Sequence, residues 1–173
     1  MFDFLNIKLL HKILLCFWIF SLSGCDDMEQ KNKIARKPQA AVDKIVDFAG
    51  IPIDVNKAAW SSIPVSSRDY QHFILIETTA EEKAKLYELL RENKAVKFTK
   101  EDSFGMFVPP WFDINTFPEG YTKHPRVDSV GFDVYGVPGD SVISIDTGVF
   151  NLPYTYIVEL NEPNSLLLIH TTQ

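Results

Sequence analysis

The first stretch of helical hydrophobic spacing along the chain lies at residues 40–49. Ala41, Ile45 and Phe48 fall on one face of a helix with 3.6 residues per turn. Gly50 follows at the position where a left-handed residue commonly ends a helix, because glycine adopts positive φ without a steric penalty. The pattern therefore predicts a short amphipathic helix that ends at Gly50.

A second helix is predicted at residues 80–93, where apolar residues again recur three and four positions apart. Thr79 and Glu82 have the spacing of a capping box at its start. In a capping box the threonine oxygen accepts a hydrogen bond from a first-turn amide, and the glutamate reaches back to the N-cap amide. Asn93 marks the expected end of this helix.

Alternating or continuous apolar runs predict strands through the rest of the chain. Residues 69–77 are the clearest case, because apolar residues on both faces around Ile74 and Ile76 are typical of a central strand. Turn sequences at residues 137–140 and 161–164 join neighbouring runs, and strands joined by short turns pair antiparallel. The predicted strands are residues 57–63, 69–77, 129–135, 141–146, 154–160 and 165–171.

Residues 94–119 interrupt this pattern, because they are rich in aromatic residues and contain Pro109, Pro110 and Pro118. We expect them to form a long irregular segment folded over the core. With the two helices and the strand runs, residues 40–173 are expected to form a single α+β domain. Its fold class is an antiparallel sheet of about five or six strands with one or two helices packed on one face.

The first 24 residues have the organisation of an export signal. Lys8 and Lys12 lie in the segment that leads to an almost entirely apolar run at residues 13–22. A helix that spans a bilayer needs roughly 20 apolar residues, so this run is too short to be a permanent membrane span. It has the length of a signal-peptide core and is followed by small residues.

The sequence Leu22-Ser23-Gly24-Cys25 resembles the lipobox of bacterial lipoproteins. The resemblance implies that the Cys25 thiol receives diacylglycerol, that the chain is cut before it, and that a fatty acid such as palmitate acylates the new amino terminus. A lipid-anchored protein on the cell membrane, facing the periplasm, would result. A simple membrane helix with a chance cysteine is the alternative interpretation.

Two aspartates, Asp26 and Asp27, directly follow that cysteine. In enteric bacteria an aspartate at this position resembles the signal that retains lipoproteins in the inner membrane, and a plain polar tether is the alternative. Residues 25–39 contain too few apolar residues to order themselves. We therefore expect a flexible tether that holds the domain about 20 Å from the bilayer.

Charge and cysteine content exclude several functions. Removal of residues 1–24 takes away two lysines and one aspartate, which changes the formal net charge from −6 to −7. An acidic chain without a basic stripe does not favour nucleic acid, whereas a basic protein partner in the envelope fits. Cys16 leaves with the signal and Cys25 becomes alkylated, so a catalytic cysteine and a disulfide are excluded.

Three histidines remain in the mature chain: His72, His124 and His170. No two of them have the spacing of a helical or hairpin metal pair, and no cofactor is expected. His72 and His170 fall in predicted strands and could be neighbours, although one partly buried and one surface imidazole is the simpler interpretation. His124 lies in a loop with Lys123 and Arg126, for which solvation is the simpler interpretation.

The candidate binding segment is Pro109-Pro110-Trp111-Phe112-Asp113. Paired prolines stiffen a loop, and adjacent aromatic residues can form a groove wall or anchor an interface. Packing of Trp111 and Phe112 into the core is the alternative. We therefore take Trp111, Phe112, Asp113 and His124 as the candidate binding residues.

Three classes of function remain open. The order of elements is similar to that in a broad group of small exported bacterial domains. This resemblance supports the fold and implies no activity. The anchor, tether and domain favour a membrane-anchored interaction or binding module of the envelope. An immunity protein against a periplasmic antibacterial toxin is the second class, and an envelope hydrolase that uses His124 or His72 with an aspartate is the third.

Overall fold

The computed structural model describes residues 41–66, 68–124, 131–145 and 148–172. The expected signal segment, with Cys25, Asp26 and Asp27, lies outside these residues. The described helices are α1 (Val42–Ala49) and α2 (Ala80–Glu92). The described strands are β1 (Lys57–Pro64), β2 (Tyr70–Glu77), β3 (Val96–Lys97), β4 (Ser103–Val108), β5 (Thr122–Lys123), β6 (Asp133–Pro138), β7 (Val142–Ile145), β8 (Thr155–Glu159) and β9 (Ser165–Thr171).

Six of these strands form one antiparallel sheet in the order β1-β2-β9-β8-β7-β3. The predicted central strand, β2, pairs with β1 on one side and with β9 on the other. Its register places His72 opposite Ser62 of β1 and opposite His170 of β9. The predicted α+β class and the predicted size of the main sheet are therefore confirmed.

Both helices pack on the same face of this six-stranded sheet. Ile45 of α1 and Leu86 and Leu90 of α2 are buried in one hydrophobic cluster with Ile74 and Leu168 of the sheet. Each fully buried aliphatic side chain contributes about 1.5–3 kcal/mol of hydrophobic stabilisation, so this cluster fixes the helices on the sheet.

The opposite face of the main sheet is covered by a second sheet, with strand order β4-β6-β5. Met106, Tyr135 and Val137 of the second sheet share a buried cluster with Phe73 and Leu167 of the first. The described domain therefore has three layers, in which the helices and the small sheet enclose the large sheet.

Two expectations from the sequence were wrong in this region. Residues 94–119 are not one irregular segment, because they contain β3, β4 and a 3-10 turn at Ile114–Thr116. Strands β6 and β7 do not form a hairpin, since the short 3-10 turn Gly139–Ser141 leads the chain from the small sheet to the large one. Exposed Gly105 has no side chain to show which face of β4 is buried, which is why the alternation of that strand is hard to recognise.

The helix ends follow the sequence with one exception. Gly50 has a φ of 63° and its N–H bonds to the Val46 carbonyl, as a left-handed C-cap requires. Thr79 accepts the predicted bond from the Glu82 N–H. The Glu82 carboxylate, however, accepts a hydrogen bond from the Asp54 N–H at 3.1 Å, so the expected reciprocal half of the capping box is replaced by a contact with another segment.

The helices among the described residues are too short or too polar to cross a membrane.

Candidate functional site

The two sheets are joined by a side chain that pairs with a strand. Gln71 of β2 is buried and points towards the small sheet. Its Nε2 donates a hydrogen bond to the carbonyl oxygen of Phe107 at 2.7 Å, and its Oε1 accepts one from the Phe107 N–H at 3.0 Å. The N–H and the carbonyl of Phe107, which point to the outer side of β4, thereby both have hydrogen-bond partners.

A cleft of about 410 Å³ opens beside this contact. The cleft lies between β4 and the neighbouring surface of β2, β8 and β9. Aromatic rings form part of its wall, since the ring centroids of Phe104 and Tyr156 are 4.6 Å apart. Its volume is at the lower end of the range for ligand sites, which suits one or two side chains of a partner. The lining residues are Gln71, Phe104, Gly105, Tyr154, Tyr156, Ile169 and Thr171.

Tyr154 lines this cleft in an unusual backbone conformation. Its φ is +53°, in the left-handed region that a bulky residue rarely adopts. The residue is 61 % exposed, so burial of the tyrosine offsets little of this strain. Such strain is concentrated at functional sites in proteins, where the surrounding structure enforces it.

The loop that carries Tyr154 is held by α1. Asn151 donates a main-chain hydrogen bond to the Ala49 carbonyl at 3.0 Å, and its Nδ2 donates to the Asp47 carbonyl at 3.2 Å. A Cβ atom at Gly50 would lie 2.7 Å from the Asn151 nitrogen, so only glycine permits this close approach. The end of the first helix therefore holds this loop at Asn151, three residues before Tyr154.

The structure places the candidate segment around Trp111 against the core. Trp111 Nε1 donates to Ser61 Oγ at 2.8 Å. Phe112 is buried, and its ring centroid lies 5.0 Å from that of Phe73. Asp113 is exposed and its Oδ1 accepts the Asn115 N–H at 3.0 Å, which caps the following 3-10 turn. These three residues hold the connection over the sheet.

A second depression, of about 430 Å³, lies beside this segment. Pro109, Pro110 and Phe112 form part of its wall, together with Tyr135 of β6. Trp111 is not among its lining residues, because its indole is directed towards Ser61. Of the predicted binding residues, Phe112 lines this depression.

His124 lies on the outer face of the small sheet, away from Trp111. A Cβ atom at Gly136 would lie 2.9 Å from His124 Nε2, 2.7 Å from Ser103 Oγ and 3.3 Å from Thr122 Oγ1. Two hydroxyl groups and an imidazole therefore converge over one glycine. All three side chains are exposed, a setting in which the surrounding water weakens electrostatic stabilisation of a reacting group.

The pair of strand histidines, in contrast, is buried. The rings of His72 and His170 are stacked with centroids 5.7 Å apart and an interplanar angle of 5°. His72 Nδ1 is hydrogen-bonded to Ser62 Oγ at 2.8 Å. Phe48 of α1 covers His72, with ring centroids 5.1 Å apart. The possible contact between the two strand histidines is thus found, but both imidazoles are buried instead of one lying at the surface.

Burial determines the charge state of this pair. Burial, with a smaller contribution from the neighbouring His170, lowers the pKa of His72 to about 4. Burial also lowers the pKa of His170, against the opposing effect of hydrogen bonds that the imidazole donates to the main chain at Pro153 and Tyr154. Within the described residues, His170 Nδ1 is buried without a hydrogen-bond partner. Two neutral imidazoles fill a protected position on the helix side of the sheet.

No carboxylate contributes to the pKa shift of His72 or of His170 among the residues described. A hydroxyl–imidazole pair needs a third group to orient and stabilise the base in the usual hydrolytic arrangement. The same part of the chain contains no group of three or more histidine, cysteine, aspartate or glutamate side chains placed to hold a metal ion.

The fold and the cleft together define a three-layer α+β domain with an open aromatic-lined cleft between its two sheets. No protein-family model, no curated protein and no solved structure matches the chain. The residues that form the cleft were not recognised from the sequence, because they come from four separate segments. Only the turn-forming Asn151 and Pro153 beside Tyr154 gave a local signal.

Proposed function

We propose that this chain is a lipid-anchored protein of the bacterial envelope whose domain binds another protein. Cys25 carries the lipid, residues 25–39 form the tether, and the domain faces the periplasm. The aspartates Asp26 and Asp27 favour retention in the inner membrane. The sequence of the leader supports the anchor, and the inter-sheet cleft supports the binding role.

The observation that carries the binding role is Tyr154. A tyrosine that is 61 % exposed, beside a cleft, on a backbone with a φ of +53° is costly for the folded domain alone. Tyrosine is among the residues that contribute most to protein interfaces, because its rigid ring gives a large contact area. A partner that covers this residue would bury the contact area that the free domain leaves exposed.

Binding is favoured over hydrolysis by the surroundings of the histidines. His72 is buried and its neutral form is stabilised, and it bonds to Ser62 on the helix side of the large sheet. The cleft lies on the opposite side, where Gln71 faces the small sheet. A substrate in the cleft would therefore be separated from this imidazole by the sheet.

Affinity capture of the full lipidated chain from envelope extracts at low salt tests this proposal. We expect a partner to co-purify with the native chain and with the Val96→Ala variant, since Val96 is equally exposed but lies on β3. The Tyr154→Ala variant is expected to capture roughly tenfold less partner, or less still, because removal of an interface tyrosine commonly weakens binding by this much. Equal capture by both variants, or no partner with the native chain, would contradict the proposal.

A further inference from the structure

The outer edge of β4 presents main-chain hydrogen-bonding groups beside the cleft. His124 donates its N–H to the Val134 carbonyl, so the peptide groups of Val134 and, two residues on, Gly136 point towards β5. Alternate residues of a strand bond to opposite neighbours. The intervening residues of β6 therefore bond to β4 through Phe104 and Met106, and the peptide groups of Gly105 point away from β6.

The binding of Phe107 shows how this edge accepts a partner. The N–H and the carbonyl of Phe107 also point away from β6, and the side-chain amide of Gln71 bonds to both of them. An amide is the chemical equivalent of one peptide unit. The edge of β4 is thus already paired, over one residue, with a group that imitates an added strand.

The next outward-facing residue along this edge is Gly105. It is exposed, and a Cβ atom built on it would meet no atom within 4 Å. It also lines the cleft, together with Tyr154 and Tyr156. A strand that continued the pairing begun by Gln71 would therefore have room beside Gly105, with a side chain directed into the cleft.

The chemistry of the cleft restricts the occupant. Its lining contains aromatic, aliphatic, amide and hydroxyl groups and no charged side chain. Transfer of a charged group into such a site without a partner of opposite charge costs several kcal/mol. The side chain that enters is therefore uncharged, and the 410 Å³ volume accommodates a large one.

We propose that the cleft binds an extended segment of a partner protein that adds to β4 as a new strand at Gly105 and places an uncharged side chain beside Tyr154. This inference rests on the proposed binding function and specifies its mode. Main-chain hydrogen bonds provide the affinity in such strand addition, and the pocket for alternate side chains provides the selectivity. The edge of β4 is short, so the segment pairs over only a few residues.

Peptide binding to the full chain in detergent tests the proposal. Random 12-residue peptides displayed on phage are selected on the native chain, and their affinities are measured by fluorescence anisotropy. The Gly105→Pro variant lacks the edge N–H and is expected to bind the selected peptide roughly tenfold more weakly. The Gly105→Ala variant keeps that N–H, and its added methyl group meets open space, so it should bind within about twofold of the native chain.

Methylation of successive peptide nitrogens provides a test that leaves the protein unchanged. In a paired strand only alternate N–H groups bond to β4, so the loss of affinity should alternate along the peptide with a period of two. Equal losses at consecutive positions, or equal affinity of the two Gly105 variants, would overturn strand addition. So would the absence of any selected peptide, or a dimer of the chain formed through β4. If envelope capture still depends on Tyr154, the binding function stands and only its mode is refuted.

Discussion

The side-chain amide of Gln71 forms two hydrogen bonds with one residue, Phe107, and so joins the large sheet to the small one. The bonds measure 2.7 Å and 3.0 Å, and Gln71 is 4 % exposed. Because the Gln71 side chain is buried, its amide depends on Phe107 for these hydrogen bonds. This contact also closes one end of the cleft that we assign to partner binding.

Replacement of Gln71 by methionine should destabilise the domain substantially. The substitution keeps the side-chain volume but leaves the Phe107 N–H and carbonyl without partners, at about 1–3 kcal/mol for each buried group. We expect a loss of roughly 2–4 kcal/mol in the free energy of unfolding, measured by urea denaturation of the full chain. A Gln71→Met variant as stable as the native chain would show that the two sheets do not depend on this contact.

The strain at Tyr154 predicts that glycine at this position does not destabilise the fold. Left-handed backbone costs a residue other than glycine about 1–2 kcal/mol, and the greater freedom of unfolded glycine offsets about 0.5–1 kcal/mol of this. Tyr154→Gly should therefore unfold at an unchanged or slightly higher urea concentration.

Lys94 provides the matched control, because it has a φ of 56° at the end of α2, away from the cleft. Lys94→Gly should gain similar stability and retain full capture of the partner, whereas Tyr154→Gly should lose the partner. If Tyr154→Gly instead lowers stability by more than about 1 kcal/mol, the ring supports the fold and its exposure does not indicate a binding role.

The close approach at Gly50 predicts a sensitive position at the end of α1. Gly50→Ala combines a φ of 63° with a clash against Asn151, so we expect a loss of at least roughly 2 kcal/mol in the free energy of unfolding. Gly105→Ala, whose Cβ meets no atom within 4 Å, should change stability by less than about 0.5 kcal/mol. Similar unfolding curves for the two variants would show that α1 does not restrain the Asn151 loop.

The buried histidine pair predicts lower stability in acid. The pKa of His72 is about 4 in the folded chain and about 6.5 in the unfolded chain, and the pKa of His170 is lowered in the same direction. The unfolded chain therefore binds more protons at these histidines between these values, so their contribution to stability falls as the pH falls through that window and is constant above it. For His72 alone the loss approaches roughly 3 kcal/mol at pH 4.

Urea unfolding at pH 7.5, 6 and 5 measures this dependence. His72→Gln keeps a hydrogen-bonding group for Ser62 but does not titrate, so its stability should depend less on pH than that of the native chain. The same substitution at the exposed His124 serves as the control. An unchanged pH dependence in His72→Gln would mean that other groups cause the acid sensitivity.

The main sheet and both helices could be predicted because the spacing of their apolar side chains indicates which faces are buried. Around Ile74 and Ile76 both strand faces are apolar, and α1 ends at Gly50 because only glycine fits there. The small sheet was missed because Gly105 weakens the alternation of β4. Its pairing with β6 depends on residues 25 or more positions away, which the local pattern does not encode.

The candidate site was harder to predict, for a related reason. Trp111 and Phe112 were selected because aromatic residues next to prolines can anchor an interface, but Trp111 bonds to Ser61 and Phe112 packs on Phe73. Exposure of Tyr154 depends on the path of its loop against α1. The sequence shows which residues are apolar, whereas the cleft depends on where the second sheet stops covering the first.

Mass spectrometry of the mature amino terminus tests the central claim of a lipid-anchored binding protein most directly. The chain purified from bacterial membranes should begin at Cys25, with residues 1–24 removed and acyl chains on the cysteine, because two or more chains are needed for stable anchoring. The Cys25→Ala variant should remain uncleaved and without lipid. A mature chain with an unmodified Cys25, or one that retains residues 1–24, would contradict the account.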